Sequence, residues 1–90
     1  MEIKKENNRV NLFIDSRLAG FATFPSIDEN IVVINHTIVY PQYQNKGYAS
    51  KLLYAIVEVL EETNRKCRVS CSYAASWFLK HPEYSFLLDD

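Results

Sequence analysis

The feature that most constrains the fold is an apolar run followed by a turn and a long helical pattern. Residues 31–40 are mostly β-branched or otherwise apolar, and apolar side chains occur on both alternating faces of the run. Such a run is typical of a central strand, so we predict one strand here, covered on both faces by helices. Residues 44–49 follow as a short turn with one glycine.

Apolar residues at helical spacing predict one amphipathic helix over residues 48–63. The next residue, Asn64, tolerates the left-handed conformation that often ends helices. The opposite side of the helix is charged and is read as a solvated face. The predicted buried stripe consists of Ala49, Leu52, Leu53, Ile56, Val57 and Leu60.

The remaining elements give the order β-β-β-α-β-α. Because a strand, a helix and a strand follow one another over residues 31–71, these two strands should be parallel, with a right-handed connection. The predicted fold class is α/β, with a mixed central sheet and helices packed on it, in a single domain spanning residues 1–90. The further strands are predicted at 9–15, 18–24 and 66–71, the first two as a hairpin, and a short helix at 73–80.

Composition and charge exclude several classes of partner. The 90 residues carry a net charge of −1, which argues against nucleic-acid binding because that function needs a basic surface. No apolar run approaches the roughly 20 residues of a membrane span. The N-terminus also lacks the apolar core of a signal peptide. We therefore expect a cytoplasmic protein.

Two cysteines, Cys67 and Cys71, are predicted to be free thiols. On a strand they would lie about 13 Å apart, at about 3.3 Å per residue, whereas a disulfide needs Cα atoms within about 7 Å. Free thiols fit a reducing compartment. Neither His36 nor His81 completes a paired ligand spacing with them, so we predict no metal site.

The turn at residues 44–49 is a candidate phosphate site. A strand, a short turn and a helix start can aim several backbone N–H groups at one anion without adding charge. Gly47 would let the backbone approach a phosphate closely, and Lys46 and Lys51 would add positive charge. The alternative is an ordinary turn that begins a helix.

Residues 39–49 also resemble a family motif. Their sequence, Val-Tyr-Pro-Gln-Tyr-Gln-Asn-Lys-Gly-Tyr-Ala, is similar to the acetyl-coenzyme A motif of the GNAT superfamily of N-acetyltransferases. In that motif a hydrophobic strand and a proline precede Gln/Arg-x-x-Gly-x-Gly/Ala at the start of a long helix. Gln44, Gly47 and Ala49 match these positions, and the predicted strand and helix provide the context.

A second stretch extends the resemblance over about residues 8–88. Family members often carry Asn-x-x-Ala-x-x-Phe-Tyr after the next strand, with a later Gly-Phe. Leu79 stands where the family's frequent tyrosine protonates the departing thiolate, so the usual acid is missing. In this chain Ser72 takes the place of the asparagine, Ala75 and Phe78 match the alanine and phenylalanine, and Tyr84 takes the place of the final aromatic residue. A short, stand-alone subfamily that lacks the two helices normally found after the first strand is resembled more closely, at His36-Thr37, Val39, Pro41, Cys71-Ser72-Tyr73-Ala74 and His81-Pro82-Glu83-Tyr84.

The resemblance implies acetyl transfer from acetyl-coenzyme A to an amine acceptor, either a small molecule or a protein. The alternative is a non-catalytic module that binds acyl-coenzyme A or a partner. In the family, the pantetheine arm of the coenzyme pairs with the strand before the motif, here at Ile38, Val39 and Tyr40. The other implied coenzyme contacts are Gln44, Asn45, Lys46, Gly47, Tyr48, Ala49, Ser50, Ser72 and Phe78.

Three residues are candidates for catalysis. His36 is a possible general base for the attacking amine, because histidine titrates near neutral pH; its alternative role is purely structural. Cys71 would accept the acetyl group or shuttle a proton, at a sheet edge where sites tend to form, or it is a small buried thiol. Tyr73 would replace the acid missing at position 79, or it packs beside Trp77.

Overall fold

The computed structural model describes residues 1–89. Within them, neither helix is long and apolar enough to cross a membrane. Two short 3₁₀ turns, at Pro41–Tyr43 and Pro82–Leu87, follow β5 and α2. The strands and helices are β1 (Glu2–Lys5), β2 (Arg9–Ile14), β3 (Arg17–Thr23), β4 (Ile31–Ile34), β5 (His36–Val39), α1 (Tyr48–Thr63), β6 (Lys66–Val69) and α2 (Ser72–Lys80).

The predicted hairpin is present as β2 and β3. Its two-residue turn consists of Asp15 and Ser16, which have φ angles of 48° and 65°. Positive φ at both turn residues matches the right-handed twist of a tight hairpin. The register shifts between Leu12 and Phe13, which places a bulge in the hairpin.

β1 is a strand that the sequence pattern did not predict. It pairs antiparallel with β2 at the edge of the sheet. Only Ile3 of this strand packs on the core, so the alternation that signals a strand is weak. Lys4 places its ammonium nitrogen 5.4 Å from the centre of the Phe13 ring, and a charged edge of this kind protects a sheet from unwanted pairing.

The prediction of one strand over residues 31–40 is wrong, because the run is divided at Asn35 into β4 and β5. β4 pairs parallel with β6, and β5 pairs antiparallel with β3. The N–H of Asn35 donates instead to the carbonyl oxygen of Thr23, at 3.2 Å. The two strands therefore belong to different sheets, one with the order β1-β2-β3-β5 and one with β4-β6.

The break at Asn35 also shifts the alternation of side chains by one residue. Val32 and Ile34 are buried before it, whereas Thr37 and Val39 are the more buried residues after it. Ile38 is 38% exposed, so the second face of the run is not covered as predicted. α1 packs on β1, β2, β3 and β5, and α2 packs on α1 and β6; among the described residues, neither helix lies on the face that carries Ile38.

The helix α1 has the predicted bounds and joins the two parallel strands β4 and β6. The residues of α1 that are at most 2% exposed are Leu52, Leu53, Ala55, Ile56, Val57 and Leu60. Asn64 ends the helix with a φ of 55° and donates its N–H to the carbonyls of Glu61 and Leu60, which is the left-handed cap predicted from the sequence. On β6, Cys67 is fully buried in the same core.

Candidate functional site

The candidate site lies where the two parallel strands stop pairing. The last pair is Ile34 with Val69. The carbonyl of Ile34 then accepts hydrogen bonds from the N–H groups of Ser70 and Cys71, at 3.0 and 3.3 Å. Beyond this point β5 stays with β3, while the chain after β6 turns into α2. One edge of β5 is therefore left open.

A cavity of about 370 Å³ occupies this opening. It lies between the open edge of β5, the turn that follows, the start of α1 and the start of α2. No charged side chain is among the residues that line it. These residues are Thr37, Val39, Tyr43, Gln44, Asn45, Gly47, Tyr48, Ala49 and Tyr73.

The turn before α1 presents backbone donors to this cavity. Gly47 precedes the helix with a φ of 81°, and no side chain caps the helix. The first hydrogen bond of the helix runs from the N–H of Lys51 to the carbonyl of Gly47, at 3.3 Å. The backbone N–H groups of residues 48–50 therefore have no partner within the helix. A Cβ at Gly47 would have no atom within 4 Å. Open space beside free helix-terminal N–H groups fits a phosphate.

The open edge of β5 supplies a second set of donors. The N–H of Tyr40 donates to the carbonyl of Ala19 on β3, at 2.9 Å. Backbone N–H groups alternate in direction along a strand, so those of Val39 and Thr37 point away from β3, toward the open edge. Gln44 uses its side-chain amide to bond the carbonyl of Val39, at 2.9 Å. Of the three predicted pantetheine contacts, Val39 therefore has an N–H that faces the opening, and Tyr40 does not.

Gly20 fixes how closely β5 can approach β3. A Cβ at this position would lie 2.5 Å from the backbone oxygen of Ile38. The two strands are hydrogen-bonded neighbours here, with Gly20 opposite Val39. Any larger residue would push β5 away from β3 and toward the cavity, so the position of the open edge depends on this glycine.

Tyr73 brings an ionisable hydroxyl to the cavity. Its side chain is 39% exposed. Burial raises the pKa of Tyr73, the nearby Ser50 hydroxyl lowers it, and the charge of a Cys71 thiolate raises it. Leu79, at the position where the family resemblance implies a tyrosine acid, is 84% exposed and lines a separate apolar cavity. The chain therefore places a tyrosine in the site from a different position on α2.

The two cysteines have different environments, and both are free. Cys67 is fully buried, and burial raises its pKa to about 12. Cys71 is half-buried at the N-terminal end of α2, and its sulfur lies 3.8 Å from the Thr37 hydroxyl across the opening. Cys71 thus lies beside the cavity without lining it.

Several predicted site residues do not line the cavity. His36 and Ile38 alternate with Thr37 and so lie on the opposite face of β5. The Tyr40 ring lies 6.2 Å from the Phe21 ring. Phe78 is buried and lines the apolar cavity near Leu79. The other three outside the cavity lining are the exposed Lys46 and Ser72 and the half-buried Ser50.

Two residues in the cavity were missed by sequence reasoning. Thr37 faces the cavity because it lies two positions before Val39, on the same side of β5. The two-residue period of a strand could have predicted this from the sequence. Tyr43 is placed by the 3₁₀ turn that begins at Pro41. Nothing in the local pattern around Tyr43 predicted that its ring would face the opening.

A family match extends over most of the chain. The model of the GCN5-related N-acetyltransferase family matches residues 9–87. The chain belongs to this family, which catalyses the acetyl-coenzyme A-dependent acetylation of amines. No curated protein matches the chain.

Solved structures with the same fold agree with this assignment. A GCN5-like protein from Staphylococcus aureus is 30% identical, with a TM-score of 0.76, and the match covers 98% of this chain and 87% of that one. A GNAT family acetyltransferase from Elizabethkingia anophelis with acetyl-coenzyme A bound is 15% identical, with a TM-score of 0.69. The PaiA N-acetyltransferase from Thermoplasma acidophilum, in complex with coenzyme A, is 22% identical, with a TM-score of 0.66. At these two identities the likeness shows the fold alone.

The lengths of these neighbours differ from that of the present chain. The match covers 81% of this chain in both of the coenzyme-bound structures, but only 51% and 48% of those two chains. This chain therefore spans about half of each longer neighbour and most of the Staphylococcus protein.

Proposed function

We propose that this chain transfers an acetyl group from acetyl-coenzyme A to an amine and that the cavity beside β5 holds the coenzyme. The observation that carries the proposal is the convergence of two sets of backbone donors on one cavity. The free N–H groups of residues 48–50 suit the pyrophosphate, and the open edge of β5 suits the amide-containing pantetheine arm. Gly47 leaves the space that a phosphate beside the turn would need.

The charge pattern around the turn supports the same use. Lys46 and Lys51 are both exposed near the start of α1, where they would add to the attraction of a phosphate without lining the cavity. The cavity itself is uncharged, so the backbone dipoles dominate inside it. Backbone donors that are already oriented toward a ligand stabilise its negative charge more strongly inside such a cavity than they would in water.

The chemistry asks for a neutral amine and for a proton on the departing sulfur. The amine nitrogen forms a bond to the acetyl carbon, the carbon–sulfur bond breaks, and the electron pair goes to sulfur. We assign protonation of that sulfur to Tyr73, because Tyr73 lines the cavity and carries an ionisable hydroxyl. Cys71 is the competing candidate, as acid or as a transient acetyl acceptor, through its position beside Thr37. His36 would act as base only for an amine that approaches from the other face of β5.

The alternative function is a non-catalytic module that binds acyl-coenzyme A. It is supported by the uncovered sheet face around Ile38, since an acceptor pocket usually needs walls on more than one side. Coenzyme binding with no turnover over a broad panel of amines would select this alternative.

The compartment and partners are part of the proposal. Two free cysteines suit a reducing compartment, so we place the reaction in the cytoplasm. The partners are acetyl-coenzyme A and a small-molecule or protein amine.

Coenzyme binding is tested by calorimetry and thermal melting. Acetyl-coenzyme A at about 100 times its dissociation constant should add about 2.7 kcal/mol to the free energy of unfolding. Gly47→Asn should weaken binding at least about tenfold, because asparagine tolerates positive φ while its side chain fills the open space. Unchanged affinity in this variant, or no melting shift at saturating coenzyme, would show that the site is misplaced.

The acid is tested by comparing two substitutions. Tyr73→Phe should lower kcat by at least about 100-fold with little change in coenzyme affinity, the low end for acid–base catalysis, while Cys71→Ala should have a smaller effect. The reverse order of effects would move the role to Cys71, and mass spectrometry for an acetylated Cys71 would then separate a nucleophile from an acid.

A further inference from the structure

The cavity beside β5 is closed at the end where β4 and β6 stop pairing. The carbonyl oxygen of Ile34 accepts hydrogen bonds from the N–H groups of Ser70 and Cys71, which ties the start of α2 to the end of β4. Thr37 lines the cavity from β5. The thiol of Cys71 donates to the hydroxyl oxygen of Thr37 over 3.8 Å. These two side chains therefore meet across the opening, and together they form its end wall.

The phosphate donors of the proposed function lie toward the other end of β5. This strand runs from His36 to Val39, and the chain then continues through a 3₁₀ turn to Gly47 and the start of α1. Acyl-coenzyme A carries its pyrophosphate and its thioester at opposite ends of the pantetheine arm. A coenzyme with its phosphates at the turn and its arm along β5 therefore directs its acyl group toward the end wall.

Both sides of the end wall are held in place. Thr37 is branched at Cβ, which restricts its χ1 angle, and it lies opposite Ala22 in the paired strands β3 and β5. Cys71 packs against the hydrophobic core. Its carbonyl oxygen accepts the N–H of Ala75 in the first turn of α2, at 3.0 Å. A wall built on a paired strand and a helix start keeps its position when a ligand presses on it.

We propose that Thr37, supported by Cys71, determines the length of the acyl group that the cavity accepts, admitting acetyl and excluding longer unbranched chains. This inference rests on the proposed function, because it takes the coenzyme to lie along β5. Thr37 acts here as a specificity-determining residue. Its effect is one of shape, so no bond forms or breaks in it.

The chemistry of the end wall suits a small apolar group. Thr37 contributes a methyl group and Cys71 a polarisable sulfur. None of the cavity-lining residues is Asp, Glu, Lys or Arg, so no charge in the lining attracts an acyl chain that carries a carboxylate. Propionyl and butyryl chains add one and two methylene groups to acetyl, and these need the space that the wall occupies. One methylene group in such a pocket changes affinity about 10–200-fold.

The test measures the affinities of coenzyme A, acetyl-coenzyme A and butyryl-coenzyme A by calorimetry, with no amine present. The parent protein should bind the acetyl form at least about tenfold more tightly than the butyryl form. Thr37→Ala and Cys71→Ala shorten the wall, and each should reduce this ratio by at least about fourfold, the value of one buried methylene group. Thr37→Val and Cys71→Ser keep the shape of the wall and should keep the parental ratio.

Controls and outcomes separate this inference from the proposed function. Ser70→Ala removes an exposed hydroxyl one residue before Cys71 and should leave the ratio unaltered, and thermal melting shows that each variant is folded. A ratio that falls as far in Thr37→Val as in Thr37→Ala would overturn the role of shape. Equal affinities of the parent for the acetyl and butyryl forms, with coenzyme A itself bound, would overturn the end wall alone. Failure of all three ligands to bind the parent would overturn the proposed function and this inference with it.

Discussion

β4 and β5 are adjacent in the sequence and similar in composition, yet their surroundings differ. β4 is paired with β6 on one side. On its other side, the N–H of Val33 donates to the carbonyl of Pro25 at 2.8 Å, and Val32 forms a bridge with Ser26. β5 has β3 on one side and the cavity on the other. Ile34 is fully buried in β4, whereas Ile38 of β5 is 38% exposed.

The difference shows how one apolar run can serve both stability and binding. Backbone groups of β4 are used inside the protein, so that strand contributes to the core. The free groups of β5 face solvent and must be satisfied by water or by a ligand. The change from one situation to the other occurs at a single residue, Asn35.

The largest expected difference is in the reactivity of the two cysteines, because Cys67 is buried on β6 and Cys71 lies beside the cavity. At pH 7 a thiol with a pKa of about 12 has only about one thiolate in 10⁵, and Cys67 is also fully buried. Cys71 should therefore react with a soluble maleimide at least about 1000-fold faster than Cys67. Peptide mapping by mass spectrometry during the reaction checks this, and comparable rates would mean that the core around β6 opens readily.

A matched pair of isoleucines tests the two strands directly. Ile34→Ala should reduce the free energy of unfolding by about 2–5 kcal/mol, as expected for a fully buried side chain. Ile38→Ala should reduce the free energy of unfolding by less than about 1 kcal/mol, because the Ile38 side chain is already exposed to solvent. Urea denaturation of both variants gives the two values. Similar costs would contradict the uncovered face of β5.

Two glycine-to-alanine substitutions distinguish the effect of a close backbone contact, at Gly20, from the effect of a positive φ, at Gly47. Gly20→Ala should cost about 1–3 kcal/mol and should also weaken coenzyme binding, because its Cβ would press on the backbone oxygen of Ile38 and displace β5. Gly47→Ala should cost about 1 kcal/mol from its positive φ alone. Denaturation and calorimetry on both variants check this, and a Gly20→Ala protein with parental stability would show that β5 moves freely.

A small effect is also expected at the break between the strands. The Thr23 hydroxyl donates to the side-chain oxygen of Asn35. Asn35→Ala should cost about 1 kcal/mol, the net value of one hydrogen bond. Asn35→Asp keeps an acceptor and should retain most of the stability in urea denaturation. Equal losses in both variants would indicate that the amide nitrogen, rather than the oxygen, stabilises the break.

The parts of the fold that sequence could predict are those with local causes. The bounds of α1 follow from a long periodic stripe and from Asn64 at its end. The β2–β3 hairpin follows from Asp15 and Ser16, which tolerate positive φ. The turn at residues 44–49 has a local cause of the same kind, since Gly47 with its positive φ and the start of α1 are neighbours in the sequence.

The parts that sequence could not predict depend on distant partners. The polar residues Asn35, His36 and Thr37 interrupt the apolar run, but only the positions of β3 and β6 make the chain change partners at Asn35. Glu2–Lys5 forms a strand because β2 offers it an edge, not because of its own pattern. Tyr73 was a candidate from its neighbours, whereas its place in the cavity lining depends on how α1 and α2 pack.

The parallel pairing of β4 with β6 has a consequence for the order in which the chain folds during synthesis. β1, β2 and β3 are joined by short turns and can pair as they leave the ribosome. The β4–β6 pairing must wait for all of α1, and non-local contacts of this kind form slowly. We expect the turn at residues 44–49 to form before α2, which carries Tyr73, so a nascent chain ending before α2 would have the proposed phosphate donors but not the proposed acid. Pulse-labelling hydrogen exchange during refolding would show this as earlier protection of β2 and β3 than of β6.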